Sequence, residues 1–202
     1  MPPMSSTVRQ LLPRDARRKS ILEAAARAFA RSGYAATSMQ EVAAEAGVTK
    51  LIVYRHFEGK ADLYRRALGR TLELMAVALE REMEQSRSGA AVRSVLSVGR
   101  SHPEALRLLF VHALREPEFA DFAAELRDRV VDLWMPRIPL TDDTLRRWGA
   151  EVAVDHVWTA VRVWLDRGDP ARDCEWAERC SAGLYAMLRA WAQNPEASTQ
   201  RA

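Results

Sequence analysis

Apolar residues recur along this chain at three- and four-residue intervals, and strand-like alternation is almost absent. That is the period of helices packed through one face. Ile21, Ala25 and Phe29, joined by Leu22 and Ala28, predict a first helix from about Asp15 to Gly33, where a glycine suits a left-handed end. Thr37, with Gln40 three residues on, has capping-box spacing and opens a short second helix that buries Met39, Val42, Ala43 and Ala46. Gly47 supplies a tight turn. A third helix starts at Val48 or Thr49, turns Ile52, Val53 and Phe57 inward, and stops at Gly59, after which Lys60 opens a long fourth helix reaching about Ser86.

The pattern stays helical beyond this point. Gly89 and Gly99 punctuate one or two short helices over 90–100. Pro103 opens a helix that carries Leu106, Leu109, Phe110, Ala113 and Leu114 on one face and ends before Pro117. Another helix runs from Glu118 to Trp134, and two long ones cover Asp142–Arg167 and Ala171–Gln193, joined at Gly168-Asp169-Pro170. The proline-rich stretch 1–13 and the polar tail after Pro195 are expected to be a flexible arm and a disordered end. The chain is therefore expected to be all-α, with about nine helices.

Composition adds an asymmetry. The net charge of +3 divides into 13 Lys+Arg against 6 Asp+Glu over 1–70, a balance of +7, and 17 against 21 over the rest, a balance of −4. One end is built to meet a polyanion and the other is not. No apolar run approaches the roughly 20 residues of a membrane span, and Met1 to Gln10 lacks the apolar core of a secretory signal. A cytoplasmic chain without membrane contact is the expectation. Cys174 and Cys180, six apart, lie on different faces of a helix with no His cluster around them, so they read as packing residues and not as a metal or redox site. Asp155 and His156 are adjacent, so their side chains diverge by about 100° on a helix. No Gly-rich phosphate loop or metal spacing is present, and neither an enzyme nor a cofactor is expected.

The second and third helices with Gly47 between them form a helix-turn-helix, whose second helix enters the major groove of DNA. The outward face of that helix offers Thr49, Lys50, Leu51 and Arg55 to base edges: Lys50 or Arg55 to guanine N7 and O6, and Leu51 to a thymine methyl. Ser38 and Gln40 can reach one phosphate strand, and Tyr54, His56 and Lys60 the other, with Lys60 at the N-terminus of the fourth helix. Arg9 and Arg14 lie within reach of DNA as well, beside the plainer reading of a solvated tail.

These residues carry a resemblance. The string Thr37-Ser38, Glu41-Val42-Ala43, Ala46-Gly47-Val48-Thr49-Lys50, Tyr54, His56-Phe57, Lys60 and Leu63, preceded by Ile21-Leu22, Ala25, Phe29 and Gly33-Tyr34, resembles the TetR family of bacterial transcriptional regulators over about residues 15–75. Leu51 departs from the pattern, which usually has a small residue such as Gly there. The resemblance implies a helix-turn-helix DNA-binding domain over 15–75 and a helical ligand-binding and dimerisation domain over 76–195. It implies a homodimeric repressor that occupies a palindromic operator and is released by a small-molecule effector. Activation, global DNA organisation, and a helical module that binds ligand or protein without specific DNA remain as alternatives.

Apolar residues on two faces of the helix over 142–167 imply two partners, one the helix's own core and the other a second subunit. With the last helix this predicts a four-helix isologous interface, to which Trp164, Leu165, Cys180, Leu184, Met187, Leu188 and Trp191 are assigned. A ligand pocket among the central helices is expected to use Phe110, Leu114, Phe122, Leu126, Trp134 and Trp158, with His112, His156 and Arg162 as polar handles.

Overall fold

The first helix, α1 (Arg14–Ala36), is held by a continuous buried stripe in which Ile21, Ala25 and Phe29 have no accessible surface. It does not end at Gly33. It bends there, at φ +77°, and continues for three residues. In this computed structural model, which describes residues 13–85 and 89–193, the N-terminal arm and the C-terminal tail lie outside the described residues. Next come α2 (Met39–Glu45), α3 (Lys50–His56) and α4 (Lys60–Glu84), with Gly47 at φ +64° in the turn between α2 and α3.

The cap of α2 stands one residue later than Thr37/Gln40 spacing predicts. Ser38 accepts from Glu41 N–H at 3.1 Å, and the Glu41 carboxylate accepts from Ser38 N–H at 2.6 Å, which closes a capping box. Thr37 is buried instead, its hydroxyl donating to the carbonyls of Gly33 (2.7 Å) and Ala28 (3.3 Å), so it closes the bend at the end of α1.

The body continues with α5 (Ala90–Ser101), α6 (Pro103–Arg107), α7 (Ala120–Trp134), α8 (Asp143–Arg167) and α9 (Asp173–Ala192). Gly99 does not break α5. A Cβ there would run into the Leu165 side chain, so the glycine leaves room for that side chain of α8 against α5. The helix expected over 103–116 is not uniform. After α6 it widens into one π turn, Leu108–His112, whose end is marked by Ala113 N–H bonding to Leu108 C=O, and then tightens into 3₁₀ turns at Ala113–Arg115 and Pro117–Phe119. Among the described residues no strand is present, and no helix is long and apolar enough to cross a membrane.

Two cores result. One fills the head and runs on without interruption into Leu108, Leu109, Phe119 and Leu126. The other gathers α5, α8 and α9 around Val95, Val157, Val161, Leu184 and Leu188. Because α4 crosses residue 75 and the first core spans both sides, the head is braced on the body by packing as well as by chain continuity.

Candidate nucleic-acid interface

In α3, Val53 is fully buried and Ile52 packs on the same core, which turns Lys50, Leu51, Tyr54 and Arg55 outward. Leu51 is 63% exposed and Tyr54 45%, so two large apolar side chains stand in solvent at the tip and flank of the helix. Lys50 Nζ lies 5.8 Å from the Tyr54 ring centre. Thr49 caps α3 by accepting from Ile52 N–H at 3.4 Å, and Ser38 and Gln40 are exposed at the start of α2. The arrangement offers donors and one apolar tip on a single convex edge.

Some cations of the head are tied to carboxylates and others are not. Arg27 and Arg31 are tied to Glu45 (2.8 and 3.3 Å), Arg66 to Asp62 (2.6 Å) and Arg70 to Glu73 (2.9 Å). Lys50 and Arg55, with Arg14, Arg17 and Arg18 at the start of α1, have no carboxylate partner among the described residues. The α1 arginines sit beside the end of α3: Arg18 lies 5.6 Å from the Phe57 ring, and His56 is held below its ordinary pKa first by burial and then by Arg14, Arg17 and Arg18. Arg17 and Arg18 lie off the apolar stripe of α1, and the fold brings them, with Arg14, to the edge that α3 presents.

Lys60 has a different task from the one its sequence position suggests. Its ammonium donates to the carbonyls of Tyr34 (2.9 Å) and Ala35 (3.2 Å) and lies 4.4 Å from the Tyr34 ring centre. It satisfies carbonyls that the end of α1 would otherwise leave open. The same corner holds the head to the body. Tyr34 N–H donates to Glu116 at 3.0 Å, and Phe119 enters an aromatic cluster 4.6 Å from Tyr34 and 4.5 Å from Tyr64, which in turn meets Phe29 at 5.0 Å. Burial raises the Tyr64 hydroxyl pKa.

The body contains a cavity of about 540 Å³ between α4, α5, α7 and α8. Phe110, Trp134 and Trp158 line it, with Phe110 stacked on Trp158 at 4.2 Å. Leu126 does not; it is buried in the core shared with the head, and Phe122 packs there too. His156 and Arg162 lie exposed on the outer side of α8, where Arg162 meets Asp166 at 3.9 Å, and His112 is half-buried, its pKa lowered chiefly by burial. The Leu114 side chain lies outside the described set. The polar side chains that do line the cavity are Glu73, Ser94, Arg129, Arg137 and the Tyr185 phenol, none of which stands out in the sequence.

The residues expected at a subunit interface fall largely inside the protomer. Leu184 and Leu188 are only 1% exposed and belong to the protomer's own core, with Trp164, Leu165, Cys180, Met187 and Trp191 packed against it. The strong apolar stripe of α9 was claimed by the core. The free apolar surface is on the other side: Trp148 (45% exposed), Val163 (43%) and Thr159 on α8, with Ala182, Gly183, Ala186 and Ala190 on α9.

Comparison with known proteins agrees with this geometry. Residues 21–67 match the family model for bacterial regulatory proteins of the tetR family. The chain is 33% identical over 168 residues, covering 79% of it and 77% of the relative, to the HTH-type transcriptional activator FasR of Mycolicibacterium smegmatis. Over 48% of its length it is 30% identical to the HTH-type transcriptional repressor SCO4008 of Streptomyces coelicolor, 49% of which is covered. A TetR-like transcriptional regulator from Rhodococcus has the same fold, with a TM-score of 0.71 at 20% identity over 89% of this chain and 99% of that one. The chain belongs to the TetR family and is a DNA-binding transcriptional regulator.

Proposed function

We propose that the protein is a homodimeric repressor whose two heads occupy the halves of a palindromic operator and leave it when a small molecule fills the cavity. The division of the head's cations carries this reading. Among the described residues, five of the cations that have no carboxylate partner lie around one edge, an arrangement that repels itself until a polyanion arrives. Lys50 and Arg55 then read guanine, and Leu51 a thymine methyl. Ser38, Gln40, Thr49, Tyr54, His56 and the arginines of α1 hold phosphates. The outer faces of α8 and α9 pair with their symmetry mates and set the heads one turn of DNA apart, about 34–36 Å.

The test is fluorescence anisotropy on the gene's own upstream DNA at about 50 and 200 mM salt. The expected result is saturable binding of two chains, with log K falling steeply with log salt and at least a hundredfold preference over random DNA. Equal binding to random DNA would replace this reading with an architectural one, and no binding would replace it with an interaction module. Val163→Arg, placed on the exposed face, is expected to give a folded monomer in sedimentation and to weaken operator binding by more than tenfold.

A second reading, activation from the same operator complex, is favoured by the Mycolicibacterium relative, which is named an activator and aligns with more of this chain than the Streptomyces repressor does. Transcription from a promoter carrying the operator, with and without the protein, separates the two signs.

A further inference from the structure

The walls of the cavity are mostly apolar. Val95, Phe110, Val154, Val157 and Trp158 form the inner wall, and Met75 and Leu79 of α4 form another. The charged groups are not spread evenly around it. Arg129 and Arg137 stand eight residues apart with Leu133 midway between them, along α7 and the 3₁₀ turn that extends it, so both project to one side of the opening.

What each polar group is already doing narrows the ligand. Glu73 is engaged by Arg70 at 2.9 Å, so its charge is offset. The Ser94 hydroxyl donates to Ala91 C=O at 2.8 Å. Two acids of α7, Asp128 and Asp132, are engaged by Arg147 of α8 (2.8 and 3.5 Å). Arg129 is left without a carboxylate among the described residues. Arg137 gives one N–H to Leu133 C=O, and that bond steadies its guanidinium without neutralising it.

From this asymmetry we infer that the effector is an amphipathic anion. It has an apolar body that fills the cavity and a single oxyanion head, carboxylate or phosphate monoester, held by Arg129 and Arg137. The inference rests on the effector reading above. A guanidinium pair suits a planar or tetrahedral oxyanion by charge-assisted hydrogen bonding. A cationic amphiphile would meet two like charges at the mouth and no unspent acid within. A cavity of this size takes a ligand of drug-like bulk.

The full chain would be titrated with decanoate, decyl phosphate, decanol and decylammonium below their micellar concentrations. Quenching of tryptophan emission, to which Trp134 and Trp158 in the lining respond, gives the affinities. Either anion is expected to bind at least about tenfold tighter than decanol and tighter still than decylammonium; the order of the two anions identifies the head group. Each added methylene should strengthen binding by up to about fourfold. Arg129→Gln with Arg137→Gln, both exposed and so without cost to the fold, should bring the anions down to the decanol level and leave decanol unchanged. Equal or tighter binding of decanol or decylammonium would overturn the anion assignment while the cavity stood as a receptor. Binding of none of the four would remove the receptor reading itself.

Discussion

In the head, Phe29, Leu63, Tyr64 and Leu68 close on one another with no accessible surface, whereas in the body α4, α5, α7 and α8 stand apart around about 540 Å³ of space. Both regions are bundles of amphipathic helices with comparable apolar content, so composition does not make the difference. The head is filled by aromatic and branched side chains meeting edge to face, Phe29 on Tyr64 and Tyr34 on Phe119. The body uses its aromatics as wall: Phe110 lies flat on Trp158, and Trp134 lines the same cavity. A surface that must match a groove needs a fixed shape, and close packing supplies it. A receptor must instead leave volume unfilled and make up the stability elsewhere.

The contrast can be broken most severely where the two regions meet. Phe119→Ala empties the aromatic junction and is expected to cost about 3–5 kcal/mol in urea denaturation. Lys50→Ala and Arg55→Ala leave the head intact and should each lose about 1–3 kcal/mol of operator affinity, with relaxed preference at one base pair. Arg17→Gln, by comparison, should weaken all sequences alike and lower the salt slope by about 0.9. Ala76→Phe, projecting from α4 into the cavity, should abolish the effector response while changing stability by less than about 1.5 kcal/mol and leaving operator affinity unchanged, as seen in a reporter and in anisotropy.

The smallest expected effect is of pH. His56 and His112 are both held below the ordinary 6.5, so the folded chain carries fewer protons than the unfolded one in that window. Stability contributed by their neutral forms is complete above 6.5 and is lost as pH falls from 6.5 through their folded values. Urea midpoints between about pH 7.5 and 5 should decline, and the His56→Gln, His112→Gln double variant should flatten the decline.

The head was legible because each of its features is local. The stripe Ile21, Ala25, Phe29, the turn at Gly47 and the inward triple Ile52, Val53, Phe57 are all read within a few residues. Even the misplaced cap moved only from Thr37 to Ser38, two residue types with the same capping chemistry, and the bend at Gly33 decided between them. The positions of Arg14, Arg17 and Arg18 beside His56 were not legible, because α1 and α3 meet only through the fold. On α9, hydrophobicity pointed to Leu184 and Leu188, but the strongest stripe goes to the protomer's own core. The surface left exposed on α9 includes the small residues Ala182, Gly183, Ala186 and Ala190, which carry little signal in periodicity. The cavity handles were hidden for a related reason. Arg129 and Arg137 look like ordinary surface arginines until the partners of Asp128, Asp132 and Glu73 are known.

The π turn at Leu108–His112 gives chain length an unusual meaning in this stretch. A π turn is an α-helix holding one residue more than its register needs. Removing one residue from it would not shorten a loop. It would rewind the turn and rotate everything downstream by about 100° relative to Phe110. Glu116 would lose the Tyr34 amide and Phe119 would leave its place between Tyr34 and Tyr64, while Phe110 kept its stack on Trp158. Between 108 and 119 the number of residues is thus constrained as tightly as their identity. A single-codon deletion, harmless in most surface connections, would here separate the wall of the cavity from the footing of the head.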